Sequence, residues 1–135
     1  MIEQNLQVRV YWEDTDAGGI VYHASYLRFM ERARTEWLRR LGLQQEALRI
    51  EHGVLFTVTS MQLDYLWPAR LDDLLEVSAR LTQVGGASLT LQQAVAVTAP
   101  ERDCVRAQVR IACLDERKWR PARLPAFLRE RLNAC

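Results

Sequence analysis

Glu13-Asp14-Thr15-Asp16-Ala17-Gly18-Gly19-Ile20-Val21-Tyr22-His23-Ala24-Ser25-Tyr26 is the stretch on which the reading turns. It carries three acids, two adjacent glycines and one histidine, and it leads directly into the clearest helical pattern of the chain. From about Ala24 to Leu41 the residues Leu27, Met30, Ala33, Trp37, Leu38 and Leu41 fall on one face at helical spacing, with Arg34 the polar exception on that stripe. Arg28, Glu31, Arg32, Thr35, Glu36 and Arg39 fill the remainder, and Gly42 stands where a C-terminal cap is expected. The pattern predicts an amphipathic helix of about five turns, long enough to cover a sheet.

On either side the period changes to two. Leu6, Val8 and Val10 alternate with Gln7, Arg9 and Tyr11, which predicts a strand over Leu6 to Trp12. After the helix a shorter helical piece is expected from Gln44 to Glu51, then an extended run from Phe56 to Tyr65 that ends near Pro68 and Leu71-Asp72-Asp73. Leu75, Val77, Ala79 and Leu81 alternate in the next strand, and Gly85-Gly86 suits a hairpin into a strand bearing Leu89, Leu91, Val95 and Val97. Val105, Ala107, Val109, Ile111 and Cys113 share one face of the last strand, and Pro125 opens a short C-terminal helix. The order of strand, long helix and four strands predicts one α+β domain over residues 1–135, with the helix on one face of a curved antiparallel sheet. Leu74 and Leu114 fall on the second faces of their strands, and a second copy of the chain is the economical cover for them.

Composition narrows the partners. The chain has 135 residues, 49% of them hydrophobic and 26% charged, with a net charge of +1. That balance gives no basic surface for nucleic acid and no membrane-surface signal. No apolar run approaches a membrane span, and Met1 to Gln7 lack the basic start and apolar core of a leader. Three cysteines, Cys104, Cys113 and Cys135, lack disulfide-framework and zinc spacing. They indicate a reducing, cytoplasmic setting, with Cys113 a small core residue and Cys135 an inert chain end. No metal and no cofactor is expected.

The quoted stretch suits acid–base or nucleophilic chemistry. A carboxylate near a helix N-terminus is electrostatically favoured, and the unpaired N–H groups there can receive a developing oxyanion. Asp16 can act as base or nucleophile, and His23 can exchange a proton near neutral pH. The same residues also suit an acidic helix cap without catalysis. Asp14-x-Asp16-x-Gly18 lacks the later glutamate of a calcium loop, and the glycines match neither phosphate-binding glycine pattern.

Val8-Arg9-Val10-Tyr11-Trp12-Glu13-Asp14-Thr15-Asp16-Ala17-Gly18-Gly19-Ile20-Val21-Tyr22-His23-Ala24-Ser25-Tyr26 resembles the signature of the 4-hydroxybenzoyl-CoA thioesterase family. It is most similar to that family's YbgC-type branch, the acyl-CoA thioesterases associated with the Tol–Pal system. Phe29 to Glu36, Tyr65 to Asp73, and Lys118 to Pro125 extend the resemblance over nearly the whole chain. It implies a hot-dog fold, a five-stranded antiparallel sheet wrapped around a long helix. It also implies a homodimer or homotetramer with sites between subunits, and metal-free hydrolysis of acyl-CoA thioesters with short-chain or aromatic acyl groups. Acyl carrier protein is a further possible thioester partner. Asp16 matches the family's catalytic aspartate, and His23 matches the position whose backbone N–H polarises the thioester carbonyl. Gly18, Gly19, Ile20, Val21 and Tyr22 match the loop beside the acyl group. Arg70, Lys118, Arg120 and Arg123 are candidates for the CoA phosphates. Gly85-Gly86-Ala87-Ser88 departs from relatives that carry a basic residue at that turn.

Two other functions fit the same elements. A hot-dog hydratase or dehydratase is one, but its acid–histidine spacing is shorter than the six residues between Asp16 and His23. A module that binds acyl carrier protein or a lipid-synthesis partner, with weak hydrolysis, is the other.

Overall fold

The computed structural model describes residues 3–133. The elements are β1 (Glu3–Arg9), a 3-10 turn (Trp12–Asp14), α1 (Ser25–Arg40), α2 (Gln45–His52), β2 (Val54–Tyr65), β3 (Leu74–Val84), β4 (Ser88–Thr98), β5 (Glu101–Asp115), β6 (Arg120–Pro121) and α3 (Ala126–Asn133). The five long strands form one antiparallel sheet in the order β1-β3-β4-β5-β2, and β6 pairs with the end of β5. A two-residue strand is too short for periodicity to register, so β6 is an addition to the five strands expected. Cys135 lies outside the described residues.

Helix α1 packs across β1, β3 and β4. Phe29, Met30, Ala33, Trp37 and Leu38 are buried on its inner face and belong to the same core as Leu75, Val77, Leu89, Leu91, Val105 and Val109 from the sheet. Burying each of the large side chains contributes about 1.5–3 kcal/mol relative to exposure. The helix ends as its glycine predicts. Gly42 has φ +81, its N–H donates to Arg39 O, and the N–H of Leu43 donates to Leu38 O. This is the wrapped sheet and long helix of the hot-dog fold.

Three departures from the periodic reading have physical causes. Strand β1 ends at Arg9 rather than Trp12, because Val10 exchanges hydrogen bonds with Asp72 and Asp73 and the Asp14 carboxylate then closes a turn onto Tyr11 N–H. Leu27, placed on the inner stripe by spacing, is 38% exposed. Leu114 needs no second copy for cover: it is 8% exposed and pairs with Pro121 of β6.

Arg34, the polar exception on α1, meets a matching exception on β4. Its Nη1 donates to Oε1 of Gln93 at 2.8 Å. Gln93 is 3% exposed, and its Nε2 donates to the carbonyls of Met30 and Ser78. Burial lowers the pKa of Arg34, the nearby charge of Glu31 opposing it more weakly.

Three register shifts bend the sheet around the helix. They fall at Thr59 between Val58 and Ser60, at Thr82 between Leu81 and Gln83, and at Cys104 opposite the Val95–Ala96 step. The threonine hydroxyls at the first two donate across to the neighbouring strand, Thr59 to Arg110 O and Thr82 to Thr90 O. The third has a different use. The Cys104 carbonyl accepts the N–H groups of Leu66 (2.8 Å) and Trp67 (3.2 Å), so the bulge fixes the segment that follows β2.

Candidate active site

The loop from Tyr11 to Ala24 is pinned at both of its halves. In the first, Trp12 O accepts both the N–H and the hydroxyl of Thr15, and Asp14 accepts Tyr11 N–H at 2.8 Å. Asp14 is only 5% exposed and sits 3.7 Å from the Arg28 guanidinium. Its carbonyl accepts Tyr22 N–H and the Ser25 hydroxyl, which ties the loop to the start of α1. In the second half, Asp16 N–H donates to Ile20 O and Gly19 N–H to Asp16 O, forming a tight turn. Gly19 takes φ +79, a conformation that disfavours any side chain. At Gly18 a Cβ would lie 3.1 Å from Asp16 Oδ1.

The turn is then clamped to the segment after β2. Ile20 bridges Arg70, and Val21 N–H donates to Ala69 O at 2.8 Å. The result is a cleft of about 450 Å³ lined by Asp16, Ile20, Val21, His23, Tyr26, Tyr65, Leu66, Trp67 and Pro68. Asp16 is exposed, and among the described contacts its carboxylate accepts only Gly18 N–H, at 2.8 Å. The N–H groups of His23 and Ala24 have no acceptor among the described residues, while Ser25 N–H donates to Tyr22 O. A lightly held carboxylate and unpaired N–H donors at a helix start thus share one apolar-walled cleft.

Of the residues predicted from sequence, Asp16, Ile20, Val21 and His23 line the cleft, with Gly18 and Gly19 forming the turn beside it. Tyr22 is exposed and stacks obliquely on His23, ring centroids 4.4 Å apart, outside the cleft lining. Tyr26, read as core, is buried and also forms part of the wall. Its hydroxyl accepts Ala69 N–H, and desolvation raises its pKa. Arg70 stands at the clamp. Lys118, Arg120 and Arg123 do not join it. They follow the end of β5 that pairs with Val54, whereas the cleft lies at the Tyr65 end of β2, roughly 35 Å away at strand spacing.

The far wall was missed. Tyr65, Leu66, Trp67 and Pro68 line the cleft because the Cys104 bulge turns the chain there. Arg102 adds a cation, its Cζ 3.5 Å over the Trp67 ring. Tyr65, Leu66 and Trp67 are exposed in the fold, and large apolar side chains left in solvent tend to mark binding surfaces. Among the described residues no cluster of three His, Cys, Asp or Glu is placed to hold a metal ion.

A wrapped hot-dog sheet with an acidic turn at the start of its long helix defines a class, and comparison agrees. The pattern of the thioesterase-like superfamily matches residues 10–132, and the chain belongs to that family. Among curated proteins it is 49% identical over 118 residues to the acyl-CoA thioester hydrolase YbgC of Escherichia coli O6:H1, covering 87% of each chain. It is 45% identical to the acyl-CoA thioesterase YbgC of Haemophilus influenzae, covering 87% of this chain and 85% of that one. Among solved structures, a probable thioesterase from Bartonella henselae superposes with TM-score 0.84 at 36% identity, covering 92% of this chain and all of the other. A 4-hydroxybenzoyl-CoA thioesterase shares the fold, with TM-score 0.88 at 21% identity and 98% coverage of each chain.

Proposed function

We propose that this chain hydrolyses acyl-CoA thioesters in the cleft at the start of α1, with Asp16 as the reacting carboxylate. The observation that carries the reading is the pairing of a lightly held Asp16 carboxylate with the unpartnered N–H groups of His23 and Ala24. The relatives named acyl-CoA thioesterases support the same substrate class. The thioester carbonyl oxygen is received by the N–H of His23, whose dipole stabilises the negative charge that develops on it. Attack at the carbonyl carbon then expels the CoA thiolate. If Asp16 attacks, a mixed anhydride forms and water hydrolyses it. If Asp16 takes a proton from water, the acid forms in one step. Single-turnover hydrolysis in ¹⁸O-water identifies the first route where water opens the anhydride at the Asp16 carbonyl, because that alone leaves label in the Asp16 carboxyl. The aromatic walls of Tyr26, Tyr65 and Trp67 and the cleft volume of about 450 Å³ favour short or aromatic acyl groups.

The site is completed by a second copy. Strand β2 is an outer strand of the sheet, twelve residues long, with Val58 and Tyr65 exposed along it. The other edge, β1, has its Glu3 carbonyl already taken by Arg40. Two-fold antiparallel pairing of β2 with β2 sets the Val54 end of one copy beside the Tyr65 end of the other. It thereby brings the second copy's Lys118, Arg120 and Arg123 toward this cleft, where Arg70 and Arg102 already stand. The free thiols of Cys104 and Cys113 fit a reducing, cytoplasmic compartment.

Thiol release from short, long and aromatic acyl-CoAs, and from acyl carrier protein thioesters, by wild type and Asp16→Ala tests the reading. Hydrolysis by wild type that disappears in the variant is expected. Folded wild type that releases no thiol from any of them ends the hydrolytic reading. Carrier-protein binding that survives Asp16→Ala would then favour a binding module.

A further inference from the structure

Tyr65 closes β2 and is 53% exposed. Its hydroxyl nevertheless donates a 2.9 Å hydrogen bond to the His23 carbonyl, across 42 residues of chain. In a regular helix that carbonyl would accept Leu27 N–H. Here Leu27 N–H donates to Ala24 O instead, at 3.1 Å. A phenol from another strand therefore holds the His23–Ala24 peptide in place of the helix ladder. The preceding carbonyl, Tyr22 O, is fixed by Ser25 N–H. Both peptide units that meet at His23 are thus anchored by their carbonyls, while the His23 N–H is left as an unused donor.

Packing accounts for the ring of Tyr65 but not for its hydroxyl. The ring meets Tyr26 edge-on, centroids 5.9 Å apart, and Tyr26 is in turn tied to Ala69. A half-exposed phenol tip can satisfy itself with water, so its bond to His23 adds little to folding. What the bond does supply is direction. Oxyanion donors work only when aimed at the place where charge develops, and small misplacements cost rate. A hydrogen bond to a peptide carbonyl also polarises the chain of donors beyond it.

We propose that Tyr65 is a positioning residue for thioester hydrolysis, its hydroxyl locking the His23–Ala24 peptide, and with it the aim of the Ala24 N–H and the backbone on which the His23 N–H is carried. The inference rests on the cleft being the thioesterase site. Tyr65→Phe keeps the ring and removes one oxygen. Its kcat falls about tenfold while KM stays within about twofold, the signature of a contact expressed in the transition state. Its thermal midpoint stays within about 2 °C of wild type. A second readout does not depend on turnover. In the Asp16→Asn background, a ¹³C-labelled thioester carbonyl is expected to absorb at lower infrared frequency when bound, and adding Tyr65→Phe shrinks that shift.

Wild-type kcat and an unchanged carbonyl shift in Tyr65→Phe overturn the positioning role and leave the thioesterase reading standing. A rise in KM alone assigns Tyr65 to substrate contact and overturns it too. Wild type inactive on every thioester overturns both.

Discussion

Asp14 and Asp16 stand two residues apart in one loop, and the two halves of that loop treat the same side chain in opposite ways. Asp14 is buried, accepts the Tyr11 amide and faces Arg28, while its own carbonyl holds Tyr22 and Ser25. Asp16 is exposed, and its carboxylate accepts a single amide, that of Gly18. Saturating a carboxylate makes it a fastener. Leaving one nearly unpartnered beside free amide donors suits it to the reacting role proposed for Asp16. The first condition supports the second, because the turn that presents Asp16 hangs from the turn that Asp14 closes.

The largest test of this contrast is Asp16→Asn. It is expected to lower kcat/KM by about a thousandfold or more, as other deletions of a reacting group do, while the thermal midpoint is unchanged. Asp14→Ala should behave the other way. Loss of a buried, charged acceptor costs about 1–3 kcal/mol, to be measured by urea unfolding. A stable Asp14→Ala beside an unstable Asp16→Asn would invert the comparison. Gly19→Ala forces a side chain to φ +79, which costs about 1–2 kcal/mol by the same measurement. Gly18→Ala should leave stability nearly intact but slow turnover, since its Cβ would press on Asp16 Oδ1. His23→Ala keeps the backbone donor and should cost no more than about tenfold in kcat. A loss as deep as that of Asp16→Asn would move proton transfer to the imidazole. The smallest expected effect is at the cysteines. Burial pushes the thiols of Cys104 and Cys113 up in pKa, so a disulfide reagent at pH 8 should leave both unmodified in the native protein.

The parts of the molecule legible in sequence are those ruled by a period. Leu75, Val77, Ala79 and Leu81 on β3, and Val105 through Cys113 on β5, alternate because one sheet face is buried, and all are buried as read. The near wall of the cleft was legible for another reason: an acid turn, a glycine pair and a helix start are contiguous in the chain. The far wall was not, because it depends on one unpaired residue, Cys104, whose carbonyl captures Leu66 and Trp67 from another segment. No local pattern announces a bulge. The ends of the sheet are governed by single contacts as well, so β1 stops early where Val10 turns to Asp72 and Asp73. The contact of Arg34 with Gln93 was half visible. Arg34 interrupts the stripe of α1, and Gln93 interrupts the alternation of Leu91 and Val95 on β4. Two polar exceptions on facing apolar surfaces are a reason to pair them.

Gln93 is a buried amide where a half-buried arginine would more commonly meet a carboxylate. An amide has no proton to gain, so the Gln93 side of this contact does not titrate. A glutamate in its place would bind a proton as the medium soured, and each unit of acidification would then loosen the helix from the strands beneath it. With Gln93 there, the acceptor that holds Arg34 to the sheet is the same group in acid as at neutral pH.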